Sequence, residues 1–374
     1  MKIEVLKENL KKNLNHIERI VGKNLSLPIL NNVLITTDDN FLSLTSTDLE
    51  LATKVWILVK IIKKGKVIVP AKFLSMFISS LPNEKIIMEA REQNLYIECG
   101  SFKTQIQGYN PEEFPIIPEF KDREYLEIDN KKLYQGLFQV VDIASQSQNR
   151  PEISGIYFSF LKDQMKIVAT DSFRLGEKSI HLEEPVKKEH AFILPQKSAR
   201  EIMNILEDKE GAVKIFFSSN QILFELPMKE VAHPQIQITS RLIEGEYPNY
   251  QDIIPHTFKT SVVLKRDEFL NQIKTASLFS GKVNEVKVSI SKEKQELEIF
   301  SASHDVGENT SRFAAKVEGD SIGVSFNYKF LMDGLLHIKS SEIVFDISKE
   351  EGPCILRPVG DSSYLYVVMP IKSM

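Results

Sequence analysis

The sequence is poor in the residues that usually announce a chemistry. Among 374 residues there are two cysteines, Cys99 and Cys354, far apart and without Cys-x-x-Cys spacing. That argues against a disulfide framework or a cysteine zinc site and fits buried free thiols in a reducing compartment. The seven histidines show no metal-ligand spacing. No glycine-rich cradle follows a strand and opens a helix; "KKGK" at 63–66 is basic but lacks the spaced glycines and terminal Ser or Thr of a phosphate loop. Aromatic ribonucleoprotein motifs, zinc fingers and arginine-rich tails are also missing. No apolar run approaches the roughly 18–20 residues needed to span a bilayer. The start, "MKIEVLKENL", places charges where a signal peptide needs an apolar core, so cytoplasm is the default and no membrane is expected. Positive charge is not in excess either: the net charge is -4. Any nucleic-acid surface must therefore come from local segregation of charge.

What is present is repetition. With 42% hydrophobic and 26% charged residues the chain can bury a sizeable core, and it is longer than one ordinary domain. The first pass opens with a strand, "KIEVL", then a helical stripe of Leu10, Leu14, Ile17 and Val21, with Lys12, Arg19 and Lys23 on the opposite face. Strand-like segments lead to "GKVIVPAKFLSMFISSLPN", where a strand enters a helix at Pro70-Ala71, a place that tolerates proline because the first helical turn has unused donors. The second pass repeats this order, with Leu133, Leu137, Val140 and Ala144 as its stripe and a second strand-to-helix entry beyond Pro195. The third carries Phe269, Ile273 and Ala276, and Tyr328 stands where the prolines stood.

A period of about 125 residues implies whole repeated domains, not a solenoid. Each repeat reads as two helices packed on antiparallel strands, an α+β arrangement. Expected domains are 1–120, 121–255 and 256–374, joined by "YNPEEFPIIPEFKDRE" at 109–124 and "EGEYPNYQDIIPHTF" at 244–258. Apolar residues between the prolines mark these as ordered joins.

One cue occurs twice: "TSTDLEL" at 45–51 and "ATDSFRL" at 169–175 each place a Thr-Asp step after an apolar run. A carboxylate there can accept backbone amides in a turn without any catalytic purpose. His304-Asp305 reads as a solvated turn, and no nucleophile, base and orienting group converge in the sequence. No catalytic residue, cofactor or metal is expected.

With these segments in order, "SLPILNN" at 26–32, "LSLTSTDLEL" at 42–51, "VATDSFRL" at 168–175, "EGEYPNY" at 244–250 and "YVVMPI" at 366–371, the chain resembles the bacterial DNA polymerase sliding clamp family, the polymerase III beta subunit, over essentially its whole length. The resemblance implies three clamp domains per chain and a head-to-tail homodimer closed as a ring around duplex DNA, helices lining the hole. It implies a non-catalytic processivity factor, loaded by a separate ATP-dependent clamp loader. A hydrophobic pocket would tether the replicative DNA polymerase, the loader and repair proteins through clamp-binding peptides. Carried over position by position, that pocket comprises Ile153, Thr170, Phe173, Arg174, Leu175, Pro248, Ile253, Val367, Met369, Pro370 and Ile371, with Arg174 flanking the groove toward polar or acidic groups. Lys12, Lys23, Gln148, Arg150 and Lys197 are the implied DNA contacts.

Two rivals stand beside this. A β-rich scaffold could bind partner peptides without enclosing DNA. A hydrolase could use Asp171 with His304 or His181, which requires those groups to meet in a cleft.

Overall fold

The computed structural model describes residues 1–21, 26–118, 120, 124–147 and 149–372. The first repeat runs β1 (Lys2–Leu6), α1 (Lys7–Ile20), β2 (Asn32–Asp38), β3 (Phe41–Thr47), β4 (Leu51–Leu58), β5 (Lys60–Lys63), β6 (Lys66–Pro70), α2 (Ala71–Ser80), β7 (Lys85–Arg91), β8 (Asn94–Cys99) and β9 (Phe102–Ile106). The second is β10 (Tyr125–Asp129), α3 (Asn130–Val140), β11 (Gly155–Leu161), β12 (Gln164–Thr170), β13 (Arg174–His181), β14 (His190–Pro195), α4 (Gln196–Leu206), β15 (Ala212–Phe217), β16 (Gln221–Pro227) and β17 (Pro234–Arg241). The third is β18 (Thr260–Lys265), α5 (Arg266–Ser277), β19 (Glu285–Ser291), β20 (Glu296–Ser303), β21 (Gly307–Ala314), β22 (Lys316–Gly319), β23 (Ile322–Asn327), α6 (Tyr328–Leu336), β24 (Glu342–Ile347), β25 (Cys354–Pro358) and β26 (Tyr364–Val368). No helix among the described residues is long and apolar enough to cross a membrane.

The helical stripes are buried as their spacing dictates: Leu10, Leu14 and Ile17 on α1, Leu133, Leu137 and Val140 on α3, Phe269, Ile273 and Ala276 on α5. Each large apolar side chain removed from water contributes roughly 2 kcal/mol. Two stripe members lie beyond their helices. Val21 caps α1 in extended conformation, and α3 ends at Val140, so Ala144 is buried from the turn that follows. The second helices of the first two repeats start as expected after Pro70 and Pro195; in the third the helix begins at Tyr328 itself, so Asn327 and not Tyr328 holds the place of the prolines. At the third site Asn327 replaces proline and caps the helix by accepting the Lys329 amide at 3.0 Å.

All strand pairings are antiparallel, and each repeat contributes two half-sheets. The first half-sheets run β4-β3-β2-β6, β13-β12-β11-β14 and β21-β20-β19-β23; the second contain β1-β7-β8-β9, β10-β15-β16-β17 and β18-β24-β25-β26. By position β4, β13 and β21 correspond, as do β9, β17 and β26. Sheets cross repeat boundaries. Pairing of β17 with β4 makes an eight-stranded sheet, and pairing of β13 with β26 makes one of nine strands. Compactness follows these sheets: one unit comprises 1–134 with 197–242, the other 135–196 with 243–374. β21 and β22 carry no apolar alternation, because both are edge strands with mostly exposed side chains.

Candidate functional site: two inter-repeat junctions

The two Thr-Asp steps fold into the same turn. Thr47 Oγ donates to the Leu51 carbonyl at 3.0 Å and accepts the Leu49 amide at 3.0 Å; Thr170 Oγ donates to the Arg174 carbonyl at 2.7 Å and accepts the Ser172 amide at 3.1 Å. One Asp48 oxygen accepts the amides of Glu50 and Leu51 at 3.0 and 2.7 Å, and one Asp171 oxygen accepts those of Phe173 and Arg174, both at 3.0 Å. Leu49 and Ser172 each adopt φ of 78° at the left-handed position. The carboxylates are thus consumed by their turns. The hydrolase constellation does not form locally either: His304 and Asp305 occupy an exposed turn, and His181 faces Asp163 at 3.5 Å.

Outside the backbone the turns diverge. The second oxygen of Asp48 is paired with Lys197 at the start of α4. That of Asp171 takes Arg174 Nε at 2.9 Å, and the same guanidinium is paired with Asp333 on α6, donates to the Asp142 carbonyl at 3.3 Å and lies 4.9 Å from the Phe330 ring centroid. Arg174 is only 11% exposed in its side chain. The Arg174 guanidinium is thus matched within the fold by two carboxylates, Asp171 and Asp333.

The pairing of β13 with β26 sets Leu175 opposite Val367 and Arg174 opposite Val368, and the Met369 amide donates to the Phe173 carbonyl at 2.8 Å. Leu175 and Val367, 2% and 1% exposed, belong to one cluster with Val168, Tyr250 and Ile355, against which Tyr157, Tyr247, Ile254, Phe258 and Leu365 pack. Phe173 and Ile253 are exposed, Pro248, Met369, Pro370 and Ile371 half-buried, and Thr170 and Ile153 buried. Ile153 closes a short turn whose Arg150 donates to Ser172 Oγ at 3.2 Å, tying that loop to the Thr-Asp turn. Ile371 is held by its amide to the Ser325 carbonyl at 2.8 Å.

Sequence reading missed the aromatic cover. Tyr247 stacks on Tyr157 with centroids 4.7 Å apart, and Tyr250 OH donates to Glu177 at 2.6 Å, whose other oxygen takes Lys166 at 3.0 Å. Burial, then the Glu177 carboxylate, pushes the Tyr250 hydroxyl well above the usual tyrosine range. Two tyrosines within "EGEYPNY" were the available signal. Phe330 and Asp333 left none, since their partner lies far away in sequence.

Of the DNA-contact candidates, Lys23 and Gln148 lie outside the described residues. Lys12 is exposed on α1, Lys197 is paired with Asp48, and Arg150 is shared between Glu152 at 3.1 Å and Ser172. Lys209, just beyond α4, lies close to Lys12. Burial first, and then the charges of Lys209, Arg19 and Lys12, push His16 down to about 4; burial and Lys12 push Lys209 down to about 8. Cationic groups therefore gather at this face despite the negative total.

Comparison with known proteins follows the same geography. Models of the DNA polymerase III beta subunit match its N-terminal domain to residues 1–118, its central domain to 127–249 and its C-terminal domain to 251–372. The chain is 26% identical to the beta sliding clamp of Bacillus subtilis, both covered in full, and 28% identical to that of Staphylococcus aureus, with 96% of each covered. It superposes along its whole length on the crystal structures of the Bacillus subtilis DNA polymerase sliding clamp, with a TM-score of 0.94, and of the Thermotoga maritima DNA polymerase III beta subunit, with 0.91; both are fully covered and 26% identical. Matched in order from end to end, the chain is a homologue of the bacterial DNA polymerase III beta subunit, the sliding clamp, and belongs to that family of non-catalytic replication subunits.

Proposed function

We propose that two copies of this chain close head to tail into a ring around duplex DNA and act as a mobile tether for replication proteins. The observation that carries this reading is the pair of sheet edges left over. Two of the three junctions the repeats can make are formed within the chain, β17 with β4 and β13 with β26. Among the described residues, the remaining members of those two sets, β9 and β21, end their sheets with no further strand. A second copy supplies the match, β9 of one chain to β21 of the other, and two such contacts close the ring. Exposed apolar side chains support the same contact: Phe102 on β9, Val306 just before β21, and Leu278 at the end of α5, which packs on β21.

Enclosure makes tight binding unnecessary. Lys12, Arg19 and Lys209, with Lys23, Gln148, Arg150 and Lys197 from the family resemblance, need supply only weak, sequence-independent phosphate contacts. Phe173, Met369, Pro370 and Ile253, above the floor of Leu175 and Val367, would receive an apolar side chain of a partner peptide, the thioether adapting to different partners. Capture raises the effective concentration of polymerase, clamp loader or repair protein at its template. The loader, not this chain, would hydrolyse ATP.

Light scattering should give twice the chain mass, and protein assembled on closed circular plasmid should stay bound until the plasmid is linearised. A chain that stays monomeric and leaves circular and linear plasmid alike overturns the proposal and favours the scaffold.

A further inference from the structure

The strand register makes the two junctions superposable residue by residue. Pairing of Thr170 with Leu175 corresponds to that of Thr47 with Ala52, so Val168, Leu175 and Val367 at the second junction correspond to Thr45, Ala52 and Thr239 at the first, and Tyr157 to Leu34. Glu177 corresponds to Lys54. The connecting segments share anchors as well. Tyr109 bonds Ile68 as Ile243 bonds Ile193, and Asn110 and Tyr250 each precede a short 3-10 turn.

Between those anchors the segments differ. Asn110 follows Tyr109 directly, whereas Glu244, Gly245, Glu246, Tyr247, Pro248 and Asn249 intervene between Ile243 and Tyr250. The first junction therefore lacks a counterpart of Tyr247 and carries asparagine in place of Tyr250. At the place those rings fill at the second junction, the first holds an open cavity of about 680 Å³, floored by Leu34, Thr45 and Thr239, with Lys54 in its wall. Such a volume suits a few side chains. Ile116, set between Pro115 and Ile117, hangs over it 95% exposed.

The second junction also shows what fits. There an aromatic ring covers the floor and its hydroxyl is matched to a carboxylate, Glu177. At the first junction the matching position is the cation Lys54, which has no carboxylate partner among the described residues and rests 4.7 Å from the Trp56 ring centroid. Of the wall's other charged groups, Glu112 is paired with Lys66 at 2.5 Å, while Glu225 accepts from the neutral Gln237 at 2.7 Å and keeps its charge on the far side of Gln237 from Lys54. The complement of this trough is an aromatic ring with an anion placed at its Lys54 side.

We propose that the first junction is a second ligand site, taking an extended segment of a partner protein in which an aromatic residue is followed by an acidic one. That the ligand is a peptide rests on the reading of the second junction as a peptide pocket; the position and charge preference stand on the cavity and Lys54.

The test uses the full chain labelled at isoleucine methyls and titrated with N-acetyl-Phe-Asp amide. Saturable shifts should appear at Ile116 and Ile117. N-acetyl-Phe-Lys amide should bind more weakly, and Lys54→Gln should weaken the acidic probe roughly fivefold, the scale of one exposed charge contact. Ile116→Asp, at a fully solvated side chain, should weaken it comparably without touching the fold. Silence at Ile116 and Ile117, equal response to both probes, or indifference to Lys54→Gln overturns the inference. Shifts confined to Ile253, Ile254 and Ile371 also overturn it while leaving the second pocket standing; shifts confined to Ile116 and Ile117 uphold it and count against the second pocket.

Discussion

The turns at 47–51 and 170–174 share every backbone bond and a left-handed residue at the same position, yet they occupy different surroundings. Where the first turn ends on Leu51, 1% exposed, the second ends on Arg174, gripped by Asp171 and Asp333 and stacked on Phe330. Where the first has Glu50 the second has Phe173, 61% exposed and stacked on Phe330 at 6.2 Å. A turn that makes the fold is thus conserved in form between the repeats, and what differs is the outward decoration. Function is to be sought in that difference.

The sharpest way to break the comparison is to remove the cation from each turn. Arg174→Ala leaves Asp171 and Asp333 facing each other without their counter-charge in a largely buried site, and should cost about 3 kcal/mol in urea unfolding. Lys197→Ala removes a pair whose ammonium is mostly in water and should cost under about 1 kcal/mol. Equal losses would mean that the second turn is no more than a copy of the first.

Next in size is the aromatic cover. Tyr250→Phe leaves a Glu177 oxygen buried without its donor and should cost about 2 kcal/mol, whereas Asn110→Ala forfeits only a cap to the Glu112 amide, about 1 kcal/mol. The pH dependence has a definite sign. Burial raises the hydroxyls of Tyr247, Tyr250, Tyr364 and Tyr366 above their unfolded value. Their stabilisation is therefore complete below about pH 10 and is lost as pH rises past it, because the unfolded chain ionises first. These four should ionise only on unfolding when phenolate absorbance is followed through an alkaline titration. Hydrogen exchange should rise at the second junction before the first.

Much of this was legible in the sequence, for physical reasons that also set the limit. Helical stripes and strand-to-helix entries depend on local periodicity, so α1, α5 and the starts at Ala71 and Gln196 could be placed without a structure. The edge strand β21 could not, because an exposed edge need not alternate. The turn role of Asp48 and Asp171 was readable because a carboxylate and the amides it accepts lie within three residues. Pairing of Arg174 with Asp333, and of Lys197 with Asp48, depends on tertiary register that no local pattern encodes. For the same reason Arg174 reads in sequence as an available cation and in the structure as a spent one.

A smaller effect concerns peptide capture. Phe173→Ala should weaken binding of a clamp-binding peptide about tenfold, near the loss of one well-packed ring face, and leave stability within about 0.5 kcal/mol because the side chain is exposed. Glu50→Ala, the same position of the first turn, should leave that affinity unchanged. Fluorescence anisotropy with a labelled peptide separates the two. Equal weakening would mean that capture does not depend on the second junction.

The smallest expected effect tests whether the first turn has a use of its own. A lysine that contacts phosphate contributes roughly 0.9 to the slope of log affinity against log salt, so Lys12→Gln should flatten that slope by about one. Lys197→Gln should flatten it by less, since Asp48 already neutralises the ammonium in part. Asp48→Asn then becomes the informative variant. It keeps an acceptor for the Glu50 and Leu51 amides, releases Lys197, and should steepen the slope; Asp171→Asn should not change it, because Asp333 still holds Arg174. If Asp48→Asn leaves plasmid association at low salt untouched, Lys197 is a structural tie between turn and helix, and the first turn has no part in holding DNA.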